Sequence, residues 1–129
     1  MQRQPTEEFC VYVLYCAVNA IQELHRKNVI HRNVQARNIF CDIEDQKVKM
    51  FDLGKSMFLT QEESFRHSML ESGYPAPETT TENPQYNHKA DIWSLGILAY
   101  ELAKGHIPRS RYSTDSNCFR VTDRMSADY

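Results

Sequence analysis

Four short tracts in this 129-residue chain carry chemically capable residues at defined spacing. They are His31-Arg32-Asn33-Val34-Gln35-Ala36-Arg37-Asn38, Asp52-Leu53-Gly54, Ala76-Pro77-Glu78 and Lys89-Ala90-Asp91-Ile92-Trp93-Ser94-Leu95-Gly96. Either triplet alone reads as an ordinary turn; four tracts in this order form a pattern. They do not assemble a zinc site. Cys10, Cys16, Cys41 and Cys118 contain no C-x-x-C pair, and His25, His31, His67, His88 and His106 contain no pair at i,i+4 spacing. The thiols are therefore expected to be reduced and mostly buried.

In this order the tracts resemble the eukaryotic protein-kinase catalytic domain. His31, Arg32 and Asn38 match its H-R-D-x-x-x-x-N catalytic loop, Asp52-Leu53-Gly54 its D-F-G, and Ala76-Pro77-Glu78 its A-P-E. Lys89 to Gly96 resembles the opening of the helix that kinases call αF. KADIWSLGILAYELAKGHIP looks most like the Sterile-twenty, or germinal-centre, serine/threonine group. Ser94-Leu95-Gly96 and Gly73-Tyr74-Pro75-Ala76 agree with the serine/threonine type, whereas Arg37 before Asn38 is more like tyrosine kinases. HRNV and ELAKGHIP lean towards STE-related adaptor pseudokinases, which bind and activate another kinase.

The resemblance implies a role for each matched position. Asn38 and Asp52 correspond to the residues that hold magnesium on the ATP phosphates, or they serve as hydrogen-bonding anchors for their loops. His31 and Leu53 correspond to stacked residues of the regulatory spine, and Asp91 to the carboxylate that holds the catalytic-loop backbone. Arg32 corresponds to the arginine that captures an activation-loop phosphate, with Thr60, Ser64 or Ser68 as acceptors; an ordinary solvated loop is the plainer expectation. Glu78 corresponds to a glutamate paired with an arginine from a later helix, and it is expected to lack that partner here.

Three positions depart from the pattern. Asn33 stands where kinases carry the aspartate that accepts the substrate hydroxyl proton. A carboxamide can hydrogen-bond a hydroxyl but has no useful basicity, which puts at risk about 10²- to 10⁴-fold of rate, or roughly 3–5 kcal/mol of barrier. Gln35 replaces the lysine that neutralises the transferring phosphoryl group, and Glu71 replaces the threonine that ties aspartate and lysine together. The losses fall on one cluster, as expected of drift after activity is lost.

The elements that must position these tracts are mainly helical. Thr6 is an expected N-cap with Glu7 and Glu8 in the first turn, opening a helix to about His25. Val13, Ala17, Ala20, Ile21 and Leu24 form its apolar stripe, and Phe9, Tyr12 and Cys16 widen it almost all the way round. Residues 28–30, 38–41 and 47–51 read as strands, the last two joined into a hairpin by Glu44-Asp45-Gln46. Lys55 to Tyr74 reads as a long surface loop. A second helix is expected from Lys89 or Asp91 to Gly105, apolar over most of its circumference. The fold class is thus mainly α with a small β-hairpin: a partial kinase-like C-lobe comprising αE (residues 6–25), the catalytic loop, the activation segment and αF. It occupies residues 1–108, and 109–129 is a divergent or disordered tail.

Composition, at 41% hydrophobic and 25% charged, is that of a globular chain and argues against low complexity. A net charge of −2 with scattered Lys and Arg gives no nucleic-acid or anionic-membrane footprint. The uncharged run from Phe9 to Ile21 falls short of the roughly 18–20 residues of a membrane span, and no secretory signal opens the chain, so a cytoplasmic location is expected. The glycine-rich loop, strand lysine and paired glutamate of a kinase's smaller lobe are not found, because Gly54, Gly73, Gly96 and Gly105 lie far apart. ATP and magnesium are therefore expected by resemblance only. The expected function is a catalytically inactive, pseudokinase-like interaction module with a protein partner, another kinase among the candidates. The alternative is a serine/threonine kinase whose longer natural chain supplies the smaller lobe.

Overall fold

The computed structural model describes residues 5–42, 44–59, 74–79, 81, 86–106 and 108. Glu71, Thr60, Ser64, Ser68, Cys118 and the 109–129 segment lie outside them. Helix α1 spans Glu7–Arg26. The Thr6 hydroxyl accepts from the Phe9 amide at 3.2 Å, and Glu7 and Glu8 meet the positive end of the helix dipole. Val13, Ala17 and Ile21, four residues apart, are its buried line.

That line is narrower than the sequence pattern predicts. Val11, Tyr12, Tyr15 and Val18 are exposed, because among the described residues the main neighbours of α1, which are α2 (His88–Lys104), β1 (Val29–Ile30) and β3 (Lys47–Met50), leave these positions uncovered. The same correction applies to α2, which buries Ala90, Asp91, Ser94, Leu95, Leu98 and Glu101 but leaves Ile92, Trp93 and Tyr100 exposed. Apolar composition alone does not report how many sides of a helix have neighbours. Of the three cysteines described, only Cys41 is buried; Cys10 and Cys16 are half-buried, and all three are free thiols.

The hairpin forms where expected. Strand β2, Ile39–Asp42, pairs antiparallel with β3, from Ile39 opposite Met50 to Asp42 opposite Lys47. Asp42 Oδ1 accepts from the Glu44 and Asp45 amides at 3.1 and 3.0 Å, closing the turn. The Tyr12 hydroxyl donates to the Gln46 carbonyl at 2.8 Å and ties the turn to α1.

The expected loop from Lys55 onward begins with structure instead. After a single 3₁₀ turn over Leu53–Lys55, strand β4 at Met57–Phe58 pairs antiparallel with β1, setting Val29 opposite Phe58 and Ile30 opposite Met57. The Leu59 amide extends the ladder to the Asn28 carbonyl at 2.7 Å. A two-residue strand is too short to display a period. Helix α2 starts at His88, capped by Asn87 Oδ1 accepting from the Lys89 amide at 2.8 Å. It stops at Gly105, whose φ of +75° suits a residue without a Cβ and whose amide donates to the Glu101 carbonyl at 2.7 Å. Leu98, with Val13 and Ile21 from α1, fixes the helix pair around a core completed by Val34 and Ile39. No helix of the described residues is long and apolar enough to cross a membrane.

Candidate functional site

The loop between β1 and β2 hangs from one buried carboxylate. Asp91, 1% exposed on α2, accepts from the His31 amide at 2.8 Å, the Arg32 amide at 2.9 Å and His25 Nε2 at 2.8 Å. Three donors offset the cost of burying its charge. Two consecutive amides on one carboxylate also hold Arg32 at a φ of +63°, a left-handed conformation that a long side chain adopts only when its surroundings impose it. His25 was not singled out from the sequence, although it is the last apolar-face position of α1; its partner lies 66 residues away.

Below this anchor the loop turns inward. His31 is fully buried and its Nδ1 accepts from the Asn33 amide at 3.1 Å, which assigns the remaining ring proton to Nε2. Burial pushes its imidazole below the ordinary histidine value, against the opposing pull of Asp91, the Phe51 backbone and Asp52. Asn38, in the 3₁₀ turn Ala36–Asn38, donates Nδ2 to the Asn33 carbonyl at 2.8 Å. The Phe51 amide donates to the Asn38 carbonyl at 2.9 Å, joining this loop to the Asp52 segment.

Asn33, Gln35 and Asp52 come together at the tip. Gln35 Nε2 donates to Asn33 Oδ1 at 2.6 Å, and Asn33 Nδ2 donates to Asp52 Oδ2 at 3.1 Å. Asp52 is exposed and left-handed, at φ +65° and ψ +68°. Gly54 follows closely: a Cβ there would stand 3.3 Å from Asp52 Oδ1. Leu53 is 54% exposed, whereas His31 is fully buried.

Arg32 spends its side chain on neighbours. Its Nε donates to the Lys55 carbonyl at 2.6 Å, and its guanidinium lies 5.2 Å from the centre of the Tyr86 ring. Tyr86 was not foreseen. Between Arg32, Tyr74, Thr79 and Ser94 lies a cavity of about 20 Å³, room for one water-sized group. Glu78 sits in the 3₁₀ turn Pro77–Thr79, which Thr79 closes by donating its amide and hydroxyl to the Ala76 carbonyl at 2.9 and 2.6 Å. Among the described residues no ion pair reaches the Glu78 carboxylate. It borders an open groove of about 450 Å³ with Lys89, Ile92, Trp93, Gly96 and Ile97.

A second buried carboxylate escaped the sequence reading. Glu101, 1% exposed, accepts from the Tyr74 hydroxyl, and the Tyr74 oxygen in turn accepts from the Ala36 amide at 3.4 Å. Ser94 Oγ donates to the Tyr74 carbonyl at 2.9 Å. The activation-segment end, α2 and the catalytic loop thus meet at Tyr74. A glutamate in register with Leu98 on the helix was the available signal.

For a divalent cation the site offers one carboxylate, Asp52, and one carboxamide oxygen, on Asn38. The donor chemistry is hard oxygen, as magnesium prefers, but one Asp52 oxygen already accepts an N–H from Asn33. Among the described residues no three His, Cys, Asp or Glu side chains gather as ligands. Asp52 Oδ1 and the Asn38 side-chain oxygen are thus the hard donors left to a magnesium ion, which would draw the rest of its shell from phosphate and water.

A loop hung from a helix-borne aspartate, an asparagine seven residues into it and an Asp-Leu-Gly whose aspartate is left-handed are the layout of a protein-kinase C-lobe. The protein kinase domain family model matches residues 2–128, and the chain belongs to that family. Among its relatives, a serine/threonine-protein kinase pakD of Dictyostelium discoideum is 36% identical over 117 residues, covering 90% of this chain and 7% of that protein. A serine/threonine-protein kinase ste20 of Aspergillus fumigatus is 38% identical over 100 residues, covering 77% and 12%. The chain therefore groups with Ste20-like and other serine/threonine kinases while spanning a small part of their length. The solved structure of the Cydia pomonella granulovirus kinase PK-1 matches with a TM-score of 0.69 at 25% identity, over 81% of this chain and 38% of that one. Protein kinase domains in general use ATP with magnesium.

Proposed function

We propose that this chain is a catalytically silent, kinase-like interaction module. The observation that carries the reading is the tip of the loop: where a general base must stand, Asn33 offers a carboxamide whose oxygen and nitrogen are both engaged, by Gln35 and Asp52. Such a group has no useful basicity, and its oxygen already accepts one N–H. The general-base contribution at risk is about 10²- to 10⁴-fold. Its partner on this reading is another protein, a second kinase being one candidate, met in the cytoplasm. Exposed Val11, Tyr15 and Val18 on α1 and Ile92 and Trp93 on α2 supply apolar surface for such contacts. The test is phosphotransfer by the full-length product to a generic protein substrate, against an Asp52→Asn control. Transfer above that control refutes the reading, and a pull-down that recovers no kinase removes the proposed partner.

A serine/threonine kinase is the second reading, favoured by the Asn38 bond to the Asn33 carbonyl and the left-handed Asp52. It requires the ATP site to be completed by residues beyond those described. On that reading Asn33→Asp raises turnover by about 10²- to 10⁴-fold. No gain and no transfer abolishes it.

A further inference from the structure

Asp52 ends a chain of polar side chains whose direction is dictated from its own end. A carboxylate only accepts, so the Asn33 amide must turn its nitrogen to Asp52; its oxygen then needs a donor, which Gln35 supplies. Asn33 is 1% exposed and Gln35 8% exposed, so neither can swing away without stranding a buried polar group. Each bond polarises the next. The Asn33 backbone is pinned as well, since its carbonyl accepts from Asn38 and its amide donates to His31.

We propose that this Gln35–Asn33–Asp52 chain takes the place of a divalent cation as the counter-group of Asp52, and that Gln35 is the positioning residue that enforces it. The inference rests on the non-catalytic reading and deepens it. Two carboxylates at this separation would repel and draw a cation between them. A carboxamide removes one charge and presents the positive end of an N–H dipole to the other. A cation taking Asp52 Oδ2 must turn Asn33 aside, and turning it also breaks the 2.6 Å bond from Gln35. Without Gln35 the Asn33 oxygen has no donor to lose, so a cation can turn the amide from Asp52 and take Oδ1 as a further hard ligand without breaking that second bond.

Manganese binding by calorimetry, with thermal unfolding in and out of magnesium, tests this on the full chain. The wild type is expected to show no change in Tm at millimolar magnesium. Gln35→Ala should bind Mn²⁺ several-fold more tightly than wild type. Asn33→Asp, which restores a carboxylate pair, should bind it at least about tenfold more tightly. Asp52→Asn should abolish the gain in each background. Equal Mn²⁺ affinity across wild type, Gln35→Ala and Asn33→Asp overturns the proposal. Should Asn33→Asp fail to fold by circular dichroism, the Gln35→Ala comparison decides alone. Phosphotransfer measured in parallel separates the two readings. No transfer with equal affinities sinks the cation replacement only, whereas wild-type transfer with tight Mn²⁺ binding sinks both.

Discussion

The two ends of the catalytic loop are built from opposite materials. Its root is a buried charge with a full set of donors: Asp91 takes three N–H groups. Its tip is neutral, Asn33 and Gln35 bonded to each other with Asp52 at the exposed end. The root is tied to folding, because losing Asp91 would strand two buried loop amides. At the tip the two buried side chains are amides that satisfy one another. Sequence can drift at the tip without unfolding the chain, whereas the root cannot change alone.

The strongest challenge to this contrast is Asp91→Ala, which leaves the His31 and Arg32 amides and His25 without their acceptor. A loss of about 3–5 kcal/mol is expected, read from the urea midpoint or as failure to fold. A loss under about 1 kcal/mol would show that the root is no more demanding than the tip. Tyr74→Phe should cost less, about 1–3 kcal/mol, because it removes one donor from buried Glu101. At the tip, Gln35→Ala should cost about 1 kcal/mol by the same measurement, since Asn33 keeps Asp52 and Asn38.

The smallest effect expected is on pH. Burial holds both His31 and His88 below the ordinary histidine value; at His88 the neighbouring His25 charge adds to this and Asp91 opposes it. The unfolded chain then binds more protons than the folded one below about pH 6.5, so stability rises with pH through that window and is lost on acidification. Urea midpoints at pH 7.5 and 5.5 should fall in that order, with His88→Gln reducing the difference. An unchanged midpoint would mean that the buried root does not exclude protons.

Local signals were legible wherever a residue's role depends on its immediate neighbours. Thr6 before two glutamates predicted the start of α1, Gly105 the end of α2, and Glu44-Asp45-Gln46 the hairpin turn, because caps and turns close over three or four residues. The kinase family was legible from four tracts in order, and Asn33, Gln35, Asn38 and Asp52 were all named before their geometry was known. Illegible were contacts that sequence distance hides: His25 with Asp91 across 66 residues, Tyr74 with Glu101 across 27, and β1 with β4. The exposed sides of both helices were misjudged because an apolar residue's burial depends on what packs over it.

By itself, then, the sequence determined the family, the two helices and the hairpin, and a side chain without basicity at position 33, since residue identity alone removes basicity. Only the tertiary structure decided what that asparagine does instead. Its two ends are chemically different, and which one faces Asp52 depends on Gln35 and Asp52 arriving from separate parts of the chain. A hydrogen-bond direction is a property of the assembled neighbours.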